Sequence, residues 1–368
     1  MSEGEPRRDR QPIRVTVAHV RYAQRDLGVA YPPHYRSILD ALELAGCAVT
    51  SVAVPSRMFV FRGLGKSLLY VSPRAVSILA RSRPEIILAL EYNLGLLWAV
   101  LAAKRARARV WVFQENAGYA GYPLGGLRKV LRRWLAPFID RFLANTTAAA
   151  DEIVGTLGAA SDRVLQAPLL VPPAREVLLA RPIDLPDPPM RPVFLFVGRL
   201  DARKNLNALL EASFLLAPQR LEFCLWIVGD GPLRERYART ARELGLENRI
   251  RFFPWVPHES LGFLYEGGDV FVMPSLRDYR SVSVLEAMRF GKPVLDSRLD
   301  GNAGDPVRDG ISGFLFDPRR PAELARCMAS LIREPRLIKE MGQRAEDMMR
   351  REYVPEVAAK RLRPALGR

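Results

Sequence analysis

Cysteine and histidine are scarce, with three of each in 368 residues. Cys47, Cys224 and Cys327 are odd in number and far apart, which fits neither a disulfide framework nor a metal-ligand spacing. Each reads as a small core residue, and a reducing cytosol is the expected compartment. Long apolar runs are missing as well. The most membrane-like stretch, 86–103, is broken by Glu91 and Asn93. Neither piece approaches the roughly 20 residues needed to span a bilayer, so the stretch reads as a strand, a loop and an amphipathic helix. Residues 1–12, MSEGEPRRDRQP, are charged and carry no apolar segment, so they read as a disordered tail rather than a signal peptide. Two familiar signatures fail on spacing. HESLG (258–262) lacks the second histidine of a zinc-protease helix, and GLGKS (63–67) has Val60 where a phosphate-binding loop needs glycine. No nucleophile triad is evident.

Positive charge is abundant. Lys and Arg total 55 against 40 Asp and Glu, a net charge of +15. A solvated surface accounts for this. An anionic partner would too: lipid headgroups, nucleic acid or a phosphorylated substrate. No nucleic-acid recognition module is visible, so no nucleic-acid partner is expected. With 49% apolar residues and roughly 100–200 residues per domain, two real cores are expected.

Both halves alternate short β-branched runs with helical patterns, as parallel α/β sheets do. Strands are predicted at 15–20, 48–54, 85–90, 109–113 and 141–146, then at 193–198, 223–229, 250–255, 270–275, 292–297 and 313–316. A helix is predicted from Tyr35 to Ala45, stopped at Gly46, and the last helices cover Pro321 to Arg351. Seven of the 21 residues in 172–192 are proline, which removes backbone donors and makes this stretch a poor candidate for either core. The resulting division is a tail (1–12), a first domain (13–180), a Pro-rich linker (181–192), a second domain (193–350) and a terminal helix or tail (351–368). Ligands of open α/β sheets bind beyond the carboxyl ends of the strands, so a site is expected in a cleft between the two domains.

Three segments carry candidate chemistry. In VFLFVGRLDARKN the strand ends at Gly198, followed by Arg199 and by Lys204 at a helix start. A strand end, a helix N-terminus, a planar cation and a point cation suit a diphosphate, although both cations could equally be solvated. IVGDGP (227–232) ends a strand in a Gly-rich turn at Gly229, open to ligand approach or simple punctuation. In PSLRDYRSVSVLEAM, Asp278 precedes a helix starting near Ser281, and Glu286 lies within it. A carboxylate can accept two hydrogen bonds from a vicinal diol. The plain readings are a helix-capping acid for Asp278 and an exposed helix face for Glu286.

The order VGRLDARKN, IVGDGPLRE, IRFFPWVPHESLGFLYEGGDVFVMPSL, DYRSVSVLEAM, GKPVL and DG-x-SGFLFDP, over about 160 residues, resembles the large, mostly retaining group 1 family of GT-B glycosyltransferases. The resemblance implies two Rossmann-like domains facing a cleft, with the C-terminal helix returning to the first domain. It implies transfer of a sugar from a nucleotide-diphosphate sugar to a saccharide or lipid-linked acceptor, in cell-surface polysaccharide or glycolipid synthesis. By position, Glu286 matches the glutamate that holds the ribose hydroxyls, and Asp278 the acid that contacts the donor sugar. Arg199 and Lys204 match the basic pair on the diphosphate. Val256 matches a position whose backbone faces the base, and Ser281, Val282 and Ser283 match the backbone around the leaving phosphate; Gly198 and Gly229 complete the donor set. No metal or other cofactor is implied, and no Asp-x-Asp tripeptide occurs. The chain departs from the family in having Asp for the first glutamate and Tyr279 and Arg280 where Gly and Phe are usual.

The first half resembles the family less. Where many members have a Gly-rich loop after the first strand, only Gly28 is present, and the histidine that often follows the strand at 109–113 is replaced by Gln114, Glu115 and Asn116. Glu115 is the catalytic candidate there. Gln114, Gly28, His34 and Glu91 are acceptor-side candidates, with His19, Tyr92 and Asn93 nearby. These residues could equally just end strands. GGLRKVLRRWLAPFI (125–139) is basic, apolar and helical in period, and MFVFRGLGKSLLYV (58–71) adds aromatics and cations. Such stretches suit an anionic membrane surface or an ordinary core helix with a charged outer face. The expected location is cytoplasmic, peripheral at the inner membrane face. Two other readings compete with the transferase. One is a catalytically inactive protein of the same fold, serving as a binding or scaffold subunit. The other is a nucleotide-sugar epimerase, which would need acid/base residues not found in the sequence.

Overall fold

The computed structural model describes residues 11–20, 36–54, 56–61, 66–90, 95–114, 126–168 and 172–367. The first half contains β1 (Ile13–Val20), α1 (Arg36–Leu44), β2 (Cys47–Val54), β3 (Ser56–Phe61), β4 (Lys66–Val71), α2 (Arg74–Arg81), β5 (Ile86–Leu90) and α3 (Gly95–Ala106). It continues through β6 (Arg109–Gln114), α4 (Gly126–Leu135), β7 (Arg141–Ala144), α5 (Thr147–Gly155) and β8 (Val164–Gln166). The second half has α6 (Arg175–Leu178), β9 (Val193–Val197), α7 (Leu206–Leu216), β10 (Cys224–Val228), α8 (Arg234–Glu243), β11 (Ile250–Phe253), α9 (Leu261–Gly267) and β12 (Val270–Met273). It ends with α10 (Val282–Arg289), β13 (Val294–Ser297), β14 (Gly313–Phe316), α11 (Pro321–Arg333), α12 (Pro335–Glu352) and α13 (Pro355–Leu366).

Two parallel six-stranded sheets result, ordered β2-β1-β5-β6-β7-β8 and β11-β10-β9-β12-β13-β14. They form two Rossmann-like domains, the arrangement the resemblance implies. The segment 58–71 supplies β3 and β4, which pair antiparallel. β5, β9 and β12 are apolar throughout because helices cover both sheet faces; all five residues of β9 are buried. β5 shows the same constraint with a period of two. Its Ile87 and Ala89 join the core under α2, α3 and α5, while Ile86, Leu88 and Leu90 join the core under α1. Gly46, at φ +93°, ends α1 in a conformation that L side chains rarely adopt.

In the second sheet the chain moves outward from β9 to β10 on one side and to β12 on the other. The crevice beyond the carboxyl ends of β9 and β12 is therefore the topological switch point, where ligands of such sheets bind. The corresponding loops of the first sheet follow β1 and β5. With them, Gly28, His34, Glu91 and Glu115 lie outside the described residues.

The proline-rich stretch, expected to be a poor candidate for either core, lies against the second one. Leu178 of α6 is buried in the second core, and Ile183, Leu185 and Met190 pack against it. Arg191 pairs with Asp269 at 2.7 Å. Proline removes backbone donors but leaves the apolar side chains between prolines free to cover strand ends.

After α12 the chain reaches the first domain again. Ala358, Leu362 and Leu366 of α13 are buried with Ile38 and Leu42 of α1. Arg109 donates to the last carbonyls of α13, at 3.2 Å to Ala365 and 3.1 Å to Leu366, satisfying groups a helix end leaves open. Leu362→Ala should therefore cost about 2–5 kcal/mol in chemical denaturation. A loosely attached tail would show a change within about 0.5 kcal/mol.

Candidate functional site

Gly198 follows β9, and Gly229 follows β10. A Cβ at Gly229, whose φ is +133°, would lie 2.1 Å from the Gly198 carbonyl oxygen. The glycine is therefore required by the close approach of the two loops, which also bond from Leu200 N to Asp230 O at 2.8 Å. Arg199 is largely exposed, and the acid it approaches is Asp201, at 3.7 Å. Asp201 caps a short 3-10 turn at Ala202–Lys204, accepting from Lys204 N at 3.1 Å. That turn directs Lys204 inward.

Lys204 is 7% exposed. Its ammonium donates to Asp278 Oδ2 at 2.6 Å and to Ser281 Oγ at 3.2 Å, and it contacts Met273 Sδ at 3.5 Å. Its three protons are thus all directed at partners. Arg203 reaches the same Asp278 oxygen at 2.6 Å. Burial pushes the Asp278 carboxyl upward, but the charges of Lys204 and Arg203 outweigh it and hold the carboxyl below its ordinary value. Arg203, unmarked in sequence among so many surface arginines, is the second cation on this acid.

Ser281 precedes α10 and donates to Asp300 Oδ2 at 2.6 Å. Asp300 also accepts from Asn302 N at 2.9 Å, and Asn302 Nδ2 donates back to the Ser281 carbonyl at 3.0 Å. This network fixes the helix start, whose first N–H groups have no intrahelical acceptor. Behind it, Asp296 on β13 is fully buried. Burial and the neighbouring Asp300 push it well above the ordinary carboxyl range. Burial likewise raises Asp300.

Glu286 is 3% exposed, which removes the exposed-face reading. Its Oε1 lies 2.9 Å from His258 Nε2, and its Oε2 accepts from the Tyr265 hydroxyl at 2.6 Å. Tyr265 is itself buried and stacked on Phe290, 5.5 Å between centroids. Each carboxylate oxygen keeps a second lone pair, so the pair can still accept from a diol. Both partners lie more than twenty residues from Glu286 in sequence, and only the tertiary fold reveals them. Val256 is half-buried against the core, next to an exposed Trp255. In the first domain, Gln114 is buried and donates to Glu152 at 3.2 Å.

The hydrogen bond to Glu286 raises the His258 pKa, burial opposing it. A raised folded-state pKa means the pair stabilises the protein most below the ordinary histidine value, and the contribution is lost as pH rises through the folded value. The stability difference between wild type and His258→Gln should therefore be larger below about pH 6 than above about pH 8. A pH-independent difference would mean the histidine is not charged against Glu286.

The family model described as "Glycosyl transferases group 1" matches residues 182–348, and that described as "Glycosyl transferase 4-like domain" matches residues 2–169. A D-inositol 3-phosphate glycosyltransferase 2 of Catenulispora acidiphila is 32% identical over 222 residues, covering 56% of this chain and 51% of that protein. An alpha-D-kanosaminyltransferase of Streptomyces kanamyceticus is 27% identical over 172 residues, covering 47% and 44%. The chain thus spans about half the length of the curated relatives it matches. Among solved structures, Anabaena Alr3699/HepE in complex with UDP shares the fold with a TM-score of 0.73 at 16% identity, covering 96% of this chain and 99% of that one. Sucrose-phosphate synthase from Thermosynechococcus elongatus does so with a TM-score of 0.70 at 18% identity, covering 96% and 98%. Both halves are thus matched by glycosyltransferase family models, and nearly the whole chain has the GT-B fold.

Proposed function

We propose that this protein is a retaining glycosyltransferase that moves a sugar from a nucleotide-diphosphate sugar to a saccharide or lipid-linked acceptor. The observation that carries the reading is the arrangement beyond β9 and β12. Lys204 and Arg203 there face one acid, Asp278, beside the start of α10, and Glu286 lies further along that helix. Two cations against one carboxylate leave net positive charge for a leaving diphosphate. A phosphate oxygen is a stronger acceptor than the Met273 thioether or the Ser281 hydroxyl and takes over a proton of Lys204 from one of them. Glu286, held in place by Tyr265 and His258, holds the ribose hydroxyls. Arg199 at the rim adds a further cation for the same phosphates. Val256 faces the base, and Asp278 faces the sugar.

The charge of the leaving group is met by these side chains and the helix start rather than by a bound metal.

The acceptor belongs to cell-surface polysaccharide or glycolipid synthesis, on the cytoplasmic side of a membrane. Among the described residues no helix is long and apolar enough to cross a membrane. Contact with an anionic surface falls to the α4 region, where Val130 and Trp134 are 64% and 58% exposed beside Arg132 and Arg133, with Phe138 just beyond. Trp134 packs edge-on against Phe138, 5.9 Å between centroids, an apolar wedge flanked by cations. The curated relatives named for D-inositol 3-phosphate make that phosphorylated polyol one acceptor to include in any panel.

A panel of nucleotide sugars, with and without acceptors, should reveal at least one that raises the melting temperature and releases its nucleotide. Lys204→Ala should lower kcat/KM with that donor about 10²–10³-fold, and excess EDTA should leave turnover unchanged. Absence of stabilisation by every nucleotide would leave the inactive-scaffold reading in place. For the surface, the protein should sediment with anionic liposomes at low salt, and Trp134→Glu should weaken this. Equal recovery with and without liposomes would refute membrane contact.

A further inference from the structure

Arg280 lies two residues after Asp278 and immediately before Ser281, yet its side chain makes contacts quite different from theirs. It is 3% exposed. Its Nε donates to Asn302 Oδ1 at 3.1 Å. One terminal nitrogen donates to the Asn145 carbonyl. The other donates to the Asp305 carbonyl at 3.0 Å and to the Tyr353 hydroxyl at 2.7 Å. Tyr353 in turn donates to Asp305 Oδ1 at 2.5 Å, and the guanidinium sits 5.2 Å from the centre of the Tyr353 ring.

These partners come from three places. Asn145 directly follows β7, at the carboxyl end of the first sheet. Asn302 and Asp305 belong to the turn after β13, and Asn302 also holds the Ser281 carbonyl. Tyr353 lies between α12 and α13, where the chain crosses back to the first domain. One buried cation therefore ties the candidate donor loop to the other domain and to the crossing segment. Burying a guanidinium is costly unless its donors are met. Here four of its five donors are met: Asn302, Asp305 and Tyr353, the last in the second core, supply three acceptors, and the Asn145 carbonyl adds the fourth from the first domain.

We propose that Arg280 is a positioning residue that makes the geometry of the loop 278–281 depend on the register of the two domains. Asp278, Ser281 and, through them, Lys204 are held in their observed arrangement when Asn145 and Tyr353 are in place. A change in domain register is transmitted to the loop through the guanidinium. The catalytic part of this inference rests on the proposed transferase reading.

The test uses full-length Arg280→Lys and Tyr353→Phe. Lysine keeps the charge but cannot form the fork, and phenylalanine removes only the hydroxyl. Three quantities are measured: UDP-sugar turnover, UDP affinity by calorimetry, and hydrogen exchange of the amides at 278–283 and 146–149. Arg280→Lys should bind UDP within about twofold of wild type while turnover falls on the order of 10- to 100-fold. Exchange should accelerate in both segments, and Tyr353→Phe should fall between. Unchanged turnover and exchange would overturn the proposal, as would a turnover loss matched by the unfolded fraction. If wild type neither binds nor turns over a nucleotide sugar, the transferase reading fails alone. The exchange data then still decide the coupling: faster exchange in both segments upholds it, and exchange confined to 278–283 refutes it.

Discussion

The contact between Lys204 and Asp278 is the interaction on which the rest of this site depends. Both side chains are nearly out of solvent, with side-chain exposures of 9% and 12%, so neither charge is tolerable alone. Removing one partner of such a pair costs about 3–5 kcal/mol, because the other is left buried and uncompensated. In the neighbouring carboxyls burial and nearby acids prevail. Asp296 and Asp300 are both raised. Asp278 moves the other way because Lys204 and Arg203 close on it. The site therefore carries a fixed negative charge between two cations, and the surplus is positive.

The sheet decides where that surplus sits. β9 and β12 are adjacent strands whose chains leave in opposite directions, which opens a crevice at their carboxyl ends. Gly198 and Lys204 come from the β9 side, Asp278 and Ser281 from the β12 side, and the ion pair bridges the crevice. Asp300 and Asn302, from the turn after β13, hold the start of α10 from behind. The helix thereby carries two tasks: its first turn presents N–H groups, and Glu286 is held further along by Tyr265 and His258. Domain placement enters through Arg280, from the same loop.

The fold was largely legible in the sequence. Strands such as β9 and β14 announce themselves as short apolar runs bounded by Gly and Pro, and Gly46 marks the end of α1. β8, with partly exposed residues, gives no such signal. The proline count made 172–192 a poor candidate for either core, because proline says nothing about the apolar side chains between prolines that pack on the second core. In the site, the family resemblance singled out Lys204, Asp278 and Glu286, and the structure pairs the first two beside the helix that carries the third. Arg203 was not singled out, since one arginine in a strongly basic chain looks solvated. His258 appeared only in a failed zinc motif, and nothing in the sequence marks Tyr265. Arg280 stood out only as a departure from the family's usual residue, since its partner Asn145 is 135 residues away. What escaped was in each case a pairing made by the tertiary fold.

The central claim is that the Lys204–Asp278 crevice is the seat of the donor diphosphate and that Glu286 holds its ribose. A crystal structure with a bound nucleoside diphosphate tests this most directly. The account predicts a phosphate oxygen within hydrogen-bond distance of Lys204 Nζ and the ribose diol on the Glu286 carboxylate, with Tyr265 still donating to Oε2. A nucleotide bound elsewhere, with the ammonium of Lys204 still fully engaged by Asp278, Ser281 and Met273, would contradict it.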